Sequence, residues 1–108
     1  MFIQGIIVRG TTAIHEFSTS YSPSDIEELR IVYGQNGRAV ITKDQYTARI
    51  TKDNITLNLS QEDTLLFTPG KNITVEIKIK LTNGQVVSNA REPICLAVTD
   101  SLIEEVLE

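Results

Sequence analysis

Residues 73–81, Ile-Thr-Val-Glu-Ile-Lys-Ile-Lys-Leu, alternate apolar and polar side chains without a break. An extended strand puts Ile73, Val75, Ile77, Ile79 and Leu81 on one face and Thr74, Glu76, Lys78 and Lys80 on the other, whereas a helix would scatter the five apolar residues around its circumference. A chain built on such a strand has to cover that apolar face with a second layer.

The same period recurs along the chain. Leu29, Ile31 and Tyr33 alternate, Asn36-Gly37 turns, and Ala39 and Ile41 resume. Tyr46–Ile50 leads through Lys52-Asp53-Asn54 to Ile55, Leu57 and Leu59, and Asn83-Gly84 joins residues 73–81 to residues 85–89. Asn-Gly between strand patterns predicts a hairpin whose type I′ turn needs positive φ at both central residues. Thr12–Ser18 and Pro93–Val98 complete the series, and the apolar Phe2–Val8 is a candidate edge strand able to pair with a neighbouring chain. About seven or eight short strands in 108 residues, mostly joined by tight turns, predict one all-β domain, an antiparallel sandwich or a barrel. No strand–helix–strand alternation is present, which excludes a parallel α/β sheet.

Three short segments read as helical. Ser24-Asp25-Ile26-Glu27 and Ser101-Leu102-Ile103-Glu104 have the capping-box spacing, and Ser60–Phe67 reads as one helical turn crossing between sheets, ended near Pro69-Gly70. With residues 101–107 helical, Leu102, Ile103, Val106 and Leu107 form an apolar stripe. Such a stripe packs back on its own sandwich or docks on another subunit, so these four residues are the candidate assembly surface.

Catalytic chemistry finds little support. His15 is the one histidine and lies on the strand face shared by Ala13 and Phe17, which reads as a structural position. The carboxylates Asp25/Glu27/Glu28, Glu62/Asp63 and Glu104/Glu105/Glu108 fall mostly in first turns of expected helices, where they complement the helix dipole. No glycine-rich phosphate loop, Gly-x-Ser-x-Gly turn or calcium-loop spacing occurs, and no catalytic, metal or cofactor residues are assigned. Cys95, the single cysteine, sits in an apolar strand pattern and reads as a small core residue. The tyrosines Tyr21, Tyr33 and Tyr46 read as core-packing rings with their hydroxyls at the rim.

The net charge of −4 with scattered Lys and Arg argues against nucleic acid as partner. No apolar run reaches the roughly 20 residues of a membrane span, and the start lacks a basic leader and cleavage site, so neither membrane anchoring nor export is expected.

Several motifs together carry a family resemblance. Arg9-Gly10-Thr11-Thr12, Ile31-Val32-Tyr33-Gly34-Gln35-Asn36-Gly37, Leu59-Ser60-Gln61-Glu62-Asp63-Thr64-Leu65-Leu66-Phe67, Val75-Glu76-Ile77-Lys78 and Ser88-Asn89 follow one another over roughly residues 9–98. In that order they resemble small structural proteins of phages and prophages of Gram-positive bacteria. That group is similar in turn to the immunoglobulin-like N-terminal domain of phage baseplate upper proteins. The resemblance implies an immunoglobulin-like β-sandwich and a place in the virion tail or baseplate after synthesis in the bacterial cytoplasm. It also implies assembly as a homo-oligomer or with other virion proteins, and no catalytic residues. The alternative expectation is a carbohydrate- or receptor-binding sandwich module, against which the scarcity of aromatic residues weighs.

Overall fold

The computed structural model describes residues 3–103 and 106–107, with side chains from residue 6 onward. Among the described residues there are nine strands: β1 (Ile3–Val8), β2 (Ala13–Ser18), β3 (Ile26–Gln35), β4 (Arg38–Asp44), β5 (Ala48–Ile50), β6 (Asn54–Leu59), β7 (Ile73–Leu81), β8 (Val86–Ser88) and β9 (Ile94–Thr99). An α-helix, α1 (Gln61–Leu65), joins β6 to β7. The strands form two sheets. The larger has six strands in the order β1-β9-β7-β3-β4, with β8 paired to β7; the smaller has the order β2-β6-β5. The fold is all-β. Strands β2, β6 and β5 stand where B, E and D do in an immunoglobulin-type sandwich, and β9, β7, β3 and β4 stand as G, F, C and C′.

The alternation at 73–81 positions the centre of this arrangement. In the β3–β7 register Leu29 faces Ile79, Ile31 faces Ile77 and Tyr33 faces Val75. These residues and Ile55, Leu57 and Leu59 of β6 belong to the inter-sheet core, with Ile77 at its margin. Each fully buried side chain of this kind contributes about 1.5–3 kcal/mol relative to exposure. Cys95 is buried as expected, although outside that central cluster.

The larger sheet is mixed rather than antiparallel throughout, because β1 runs parallel to β9. Parallel neighbours only require a long connection, and here almost the whole chain intervenes between the two strands. Phe2, at the start of the expected edge strand, lies outside the described residues.

The two Asn-Gly turns differ. Asn36 (φ 53°) and Gly37 (φ 74°) both have positive φ, as a type I′ turn requires. At the second, only Gly84 (φ 91°) does. There Gly84 N–H donates to Leu81 O at 2.9 Å and Leu81 N–H to Gln85 O at 2.8 Å, the pattern of a three-residue loop closed by a glycine bulge. Asn83 keeps ordinary φ because its Oδ1 accepts the Gln85 N–H at 2.9 Å. The hairpin through residues 52–54 forms as expected, with Ile50 opposite Ile55. Tyr46 lies in the turn before β5 and is 86% exposed, so it is not a core ring.

Of the three expected helical segments, only the crossover is an α-helix. Ser60 caps α1: its Oγ accepts the Asp63 N–H at 3.1 Å and Asp63 Oδ2 accepts the Ser60 N–H at 3.0 Å. Around residue 24 the box does not form. Pro23–Asp25 makes a 3₁₀ turn with Ser22 at its N-cap, and Ile26 already begins β3, whose alternation outweighs a lone capping signal.

The expected C-terminal helix does not appear among the described residues. Residues 101–103 and 106–107 are not helical, and Glu104, Glu105 and Glu108 lie outside the described residues. Seven residues are too few to sustain a helix without packing. Local and distant partners take the backbone instead: Ser101 Oγ accepts the Ile103 N–H at 3.2 Å. Gln61 clasps Leu107 from both sides, donating Nε2–H to its carbonyl at 2.7 Å and accepting its N–H at 2.8 Å. No helix among the described residues is long and apolar enough to cross a membrane.

Candidate functional site

Between the two sheets one polar pair interrupts the core. The inward phase of β2 carries His15 beside Phe17, and that of β3 carries Tyr33. The Tyr33 hydroxyl lies 2.6 Å from His15 Nδ1, and the rings stack with centroids 5.6 Å apart. Burial, then the negative charge of Asp63, pushes the Tyr33 hydroxyl up, so it stays protonated. Burial lowers the pKa of half-buried His15, so the imidazole is neutral at pH 7. A neutral imidazole and a protonated phenol make a hydrogen bond in which the tautomer decides the donor. Their hydrogen bond ties the two sheets together.

A second polar cluster gathers where α1 crosses from one sheet to the other. Thr64, fully buried, donates its hydroxyl to Thr11 O at 2.7 Å and accepts the Gly10 N–H at 3.0 Å. Gly10 has φ +82°, and a Cβ there would stand 3.4 Å from Ile103 O, so the turn from β1 to β2 favours glycine. Arg9 reaches Leu65 O at 3.1 Å and Asp100 Oδ1 at 2.8 Å, which holds the exposed Asp100 carboxyl below its usual range. Lys43 of β4 meets Asp63 at 3.2 Å. Burial pushes Asp63 up, but the Ser60 N–H, the Lys43 ammonium and the Ser60 hydroxyl outweigh it, and the net shift is downward.

The loop after α1 is held by Gln35, the buried end of β3. Its Oε1 accepts the Thr68 N–H at 2.8 Å, and its Nε2–H groups reach Thr68 O at 2.9 Å and Lys71 O at 3.2 Å. Asn89 does similar work beyond β8, accepting the Ile77 N–H at 2.7 Å and donating to Val75 O at 3.3 Å. Sequence reasoning did not single out Gln35, Thr64 or Asn89 as working residues. For Gln35 a signal existed: it continues the inward phase of Leu29, Ile31 and Tyr33, and a polar residue on a buried face needs partners.

The four candidate assembly residues do not form a stripe. Leu102 (104% exposed), Ile103 and Leu107 face solvent, and Val106 is half-buried. No cluster of three or more His, Cys, Asp or Glu is placed to hold a metal among the described residues. A cleft of about 270 Å³, lined by Tyr21, Ile55, Ile77, Val87, Ser88 and their neighbours, carries no charged residue. It is smaller than the roughly 300–1,000 Å³ usual for ligand sites.

Fold and polar clusters together define an immunoglobulin-type β-sandwich whose buried polar side chains are engaged in holding loops and sheets. Compared with known proteins, the chain matches no family model and no curated protein.

Proposed function

We propose that the chain is a structural protein of a phage or prophage, a tail or baseplate component that acts through protein–protein assembly and has no enzymatic activity. The observation that carries this reading is the convergence of the motif residues. The Gly-Thr-Thr start and the Leu-x-Gln-Glu-Asp-Thr crossover meet through Thr64, and the Tyr-x-Gln-Asn-Gly hairpin holds the crossover loop through Gln35. Residues that carry the resemblance thus carry the fold, which supports a shared architecture with that group. Fold alone does not assign a role, so the test is made on particles. An affinity-tagged chain, expressed in a phage-producing host, is expected in the density-gradient fraction of purified virions. Its absence from particles that assemble normally sinks the reading.

The carbohydrate- or receptor-binding alternative draws on one observation, the exposed ring of Tyr46. Retention of the chain on a glycan array, lost in Tyr46→Ala, would favour it.

A further inference from the structure

Strand β1 is attached to the sandwich on one side and by one short turn. It lies beside β9 and pairs with no other strand among the described residues. Of its described side chains Ile7 enters the core, against Val98 in the register, while Ile6 and Val8 are exposed. The core formed by β2, β3, β6 and β7 does not pass through it. Arg9 donates its N–H to Thr99 O at 3.0 Å, so the ladder runs one residue past β1, and residues 10–12 are the link to β2. The chain reverses there because Thr11 gives its N–H (3.2 Å) and its hydroxyl (2.7 Å) to Val8 O. Downstream, the buried Thr64 hydroxyl holds Thr11 O at 2.7 Å, which fixes the start of β2 whether or not the reversal is made.

We infer that β1 is an exchangeable arm: two copies of the chain form a dimer in which each lays its β1 along β9 of the other, in the parallel register seen within one chain. The occupant of the place on β9 is set by the structure, since a second copy brings the same strand with Ile7 at the same position. The closed and exchanged forms share that interface and differ at the hinge, so the hinge decides between them. Its sequence favours opening. Thr11 and Thr12 are β-branched and suit an extended chain better than a tight reversal. Gly10, at φ +82° in the closed turn, takes an extended conformation as readily because it has no Cβ. Opened, the three residues span roughly 10 Å, enough to carry β1 out of its own sandwich and into one lying beside it. The bonds given up are those of Thr11 to Val8 and of Gly10 N–H to Thr64 at 3.0 Å. Two extended hinges related by a two-fold axis run antiparallel, and their freed N–H and C=O groups can pair with each other.

This inference rests on the assembly reading above and names its partner, but its test is separate from the virion experiment. Ile6 and Ala97 stand opposite each other in the register, on the face away from buried Ile7 and Val98, so thiols placed there are within bridging distance. The variant Cys95→Ala/Ile6→Cys/Ala97→Cys is oxidised and run on a denaturing gel without reductant. The expected product is a covalent dimer, its bridges running between chains; a monomer with the bridge inside one chain overturns the inference. A second measurement needs neither thiol. Light scattering behind a sizing column is run on the unmutated chain and on one with Gly-Gly-Gly inserted after Gly10. The expected masses are twice the monomer for the first and the monomer for the second, because a longer hinge lets β1 return to its own β9 without the tight reversal. A monomeric unmutated chain, or a dimer that the insertion leaves intact, overturns it. A chain that exchanges β1 but never enters virions retires the virion reading and leaves the exchange standing; a chain found in virions with its bridge inside one chain does the reverse.

Discussion

The Tyr33 hydroxyl, on the six-stranded sheet, lies 2.6 Å from His15 Nδ1, on the three-stranded one. Tyr33 is fully buried and its ring also packs against Phe67, with centroids 6.1 Å apart, so one side chain joins both sheets and the crossover. The hydroxyl and the ring contribute separately. Tyr33→Phe should cost about 1 kcal/mol, the net worth of one hydrogen bond. Tyr33→Ala should cost about 3–5 kcal/mol through the cavity it leaves. Urea denaturation of both variants measures the two terms, and equal losses would contradict the division.

The same pair makes stability depend on pH near neutrality. Burial lowers the folded pKa of His15, so the folded chain takes up a proton less readily than the unfolded chain, whose imidazole titrates near 6.5. The resulting stabilisation is full above that value, shrinks as the pH falls from it towards the lower folded value, and then levels off. The urea midpoint should therefore climb from about pH 5 to about pH 8. Asp63 acts in a more acidic window: its pKa is depressed by folding, so its contribution is full above about pH 4 and lost as the pH falls through the folded value. His15→Gln should flatten the neutral limb and leave the acidic one, and a neutral slope that persists in this variant would remove His15 as its source.

Thr64 joins α1 to the turn between β1 and β2 through one oxygen. Thr64→Val keeps the shape but leaves the Gly10 N–H and the Thr11 carbonyl without that partner, a loss of about 1–3 kcal/mol. Thr64→Ser should recover most of it. Thermal unfolding of the pair distinguishes a hydrogen-bonding role from a packing one, since packing alone would favour Val over Ser.

Gly37 tests the turn without touching the core. A Cβ there meets nothing within 4 Å, so substitution acts only through the φ of +74°. Gly37→Ala should cost about 1–2 kcal/mol, and Gly37→Asn less, because Asn tolerates that region. An Ala variant as stable as the unmutated chain would mean that the hairpin adopts another turn.

What the sequence made legible is what local pattern encodes. Alternation at 73–81 marked the face that became the core, and Ser60 with its acidic neighbours marked α1. What it concealed depends on distant partners. Alternation puts His15 on the face of Ala13 and Phe17, but nothing near it in the chain points to Tyr33. The tail was misread for the same reason. Ser101-x-x-Glu104 is a valid local signal, yet Gln61, 46 positions from Leu107, offers the backbone two hydrogen bonds that a short helix there cannot match. At Asn83-Gly84 the hairpin was legible and the turn type was not, since the loop length that sets it depends on the register of β7 with β8.

The parallel pairing of β1 with β9 also has a temporal side. Strand β1 waits for a strand made some 90 residues later, with Val8 beside Thr99. At the usual pace of synthesis, about 5–20 residues per second, some 90 intervening residues take roughly 5–18 seconds. The hairpins β3–β4, β5–β6 and β7–β8 close within microseconds of being available. The uncharged first strand is therefore the last to find its place, and on a polysome it spends those seconds within reach of other nascent chains.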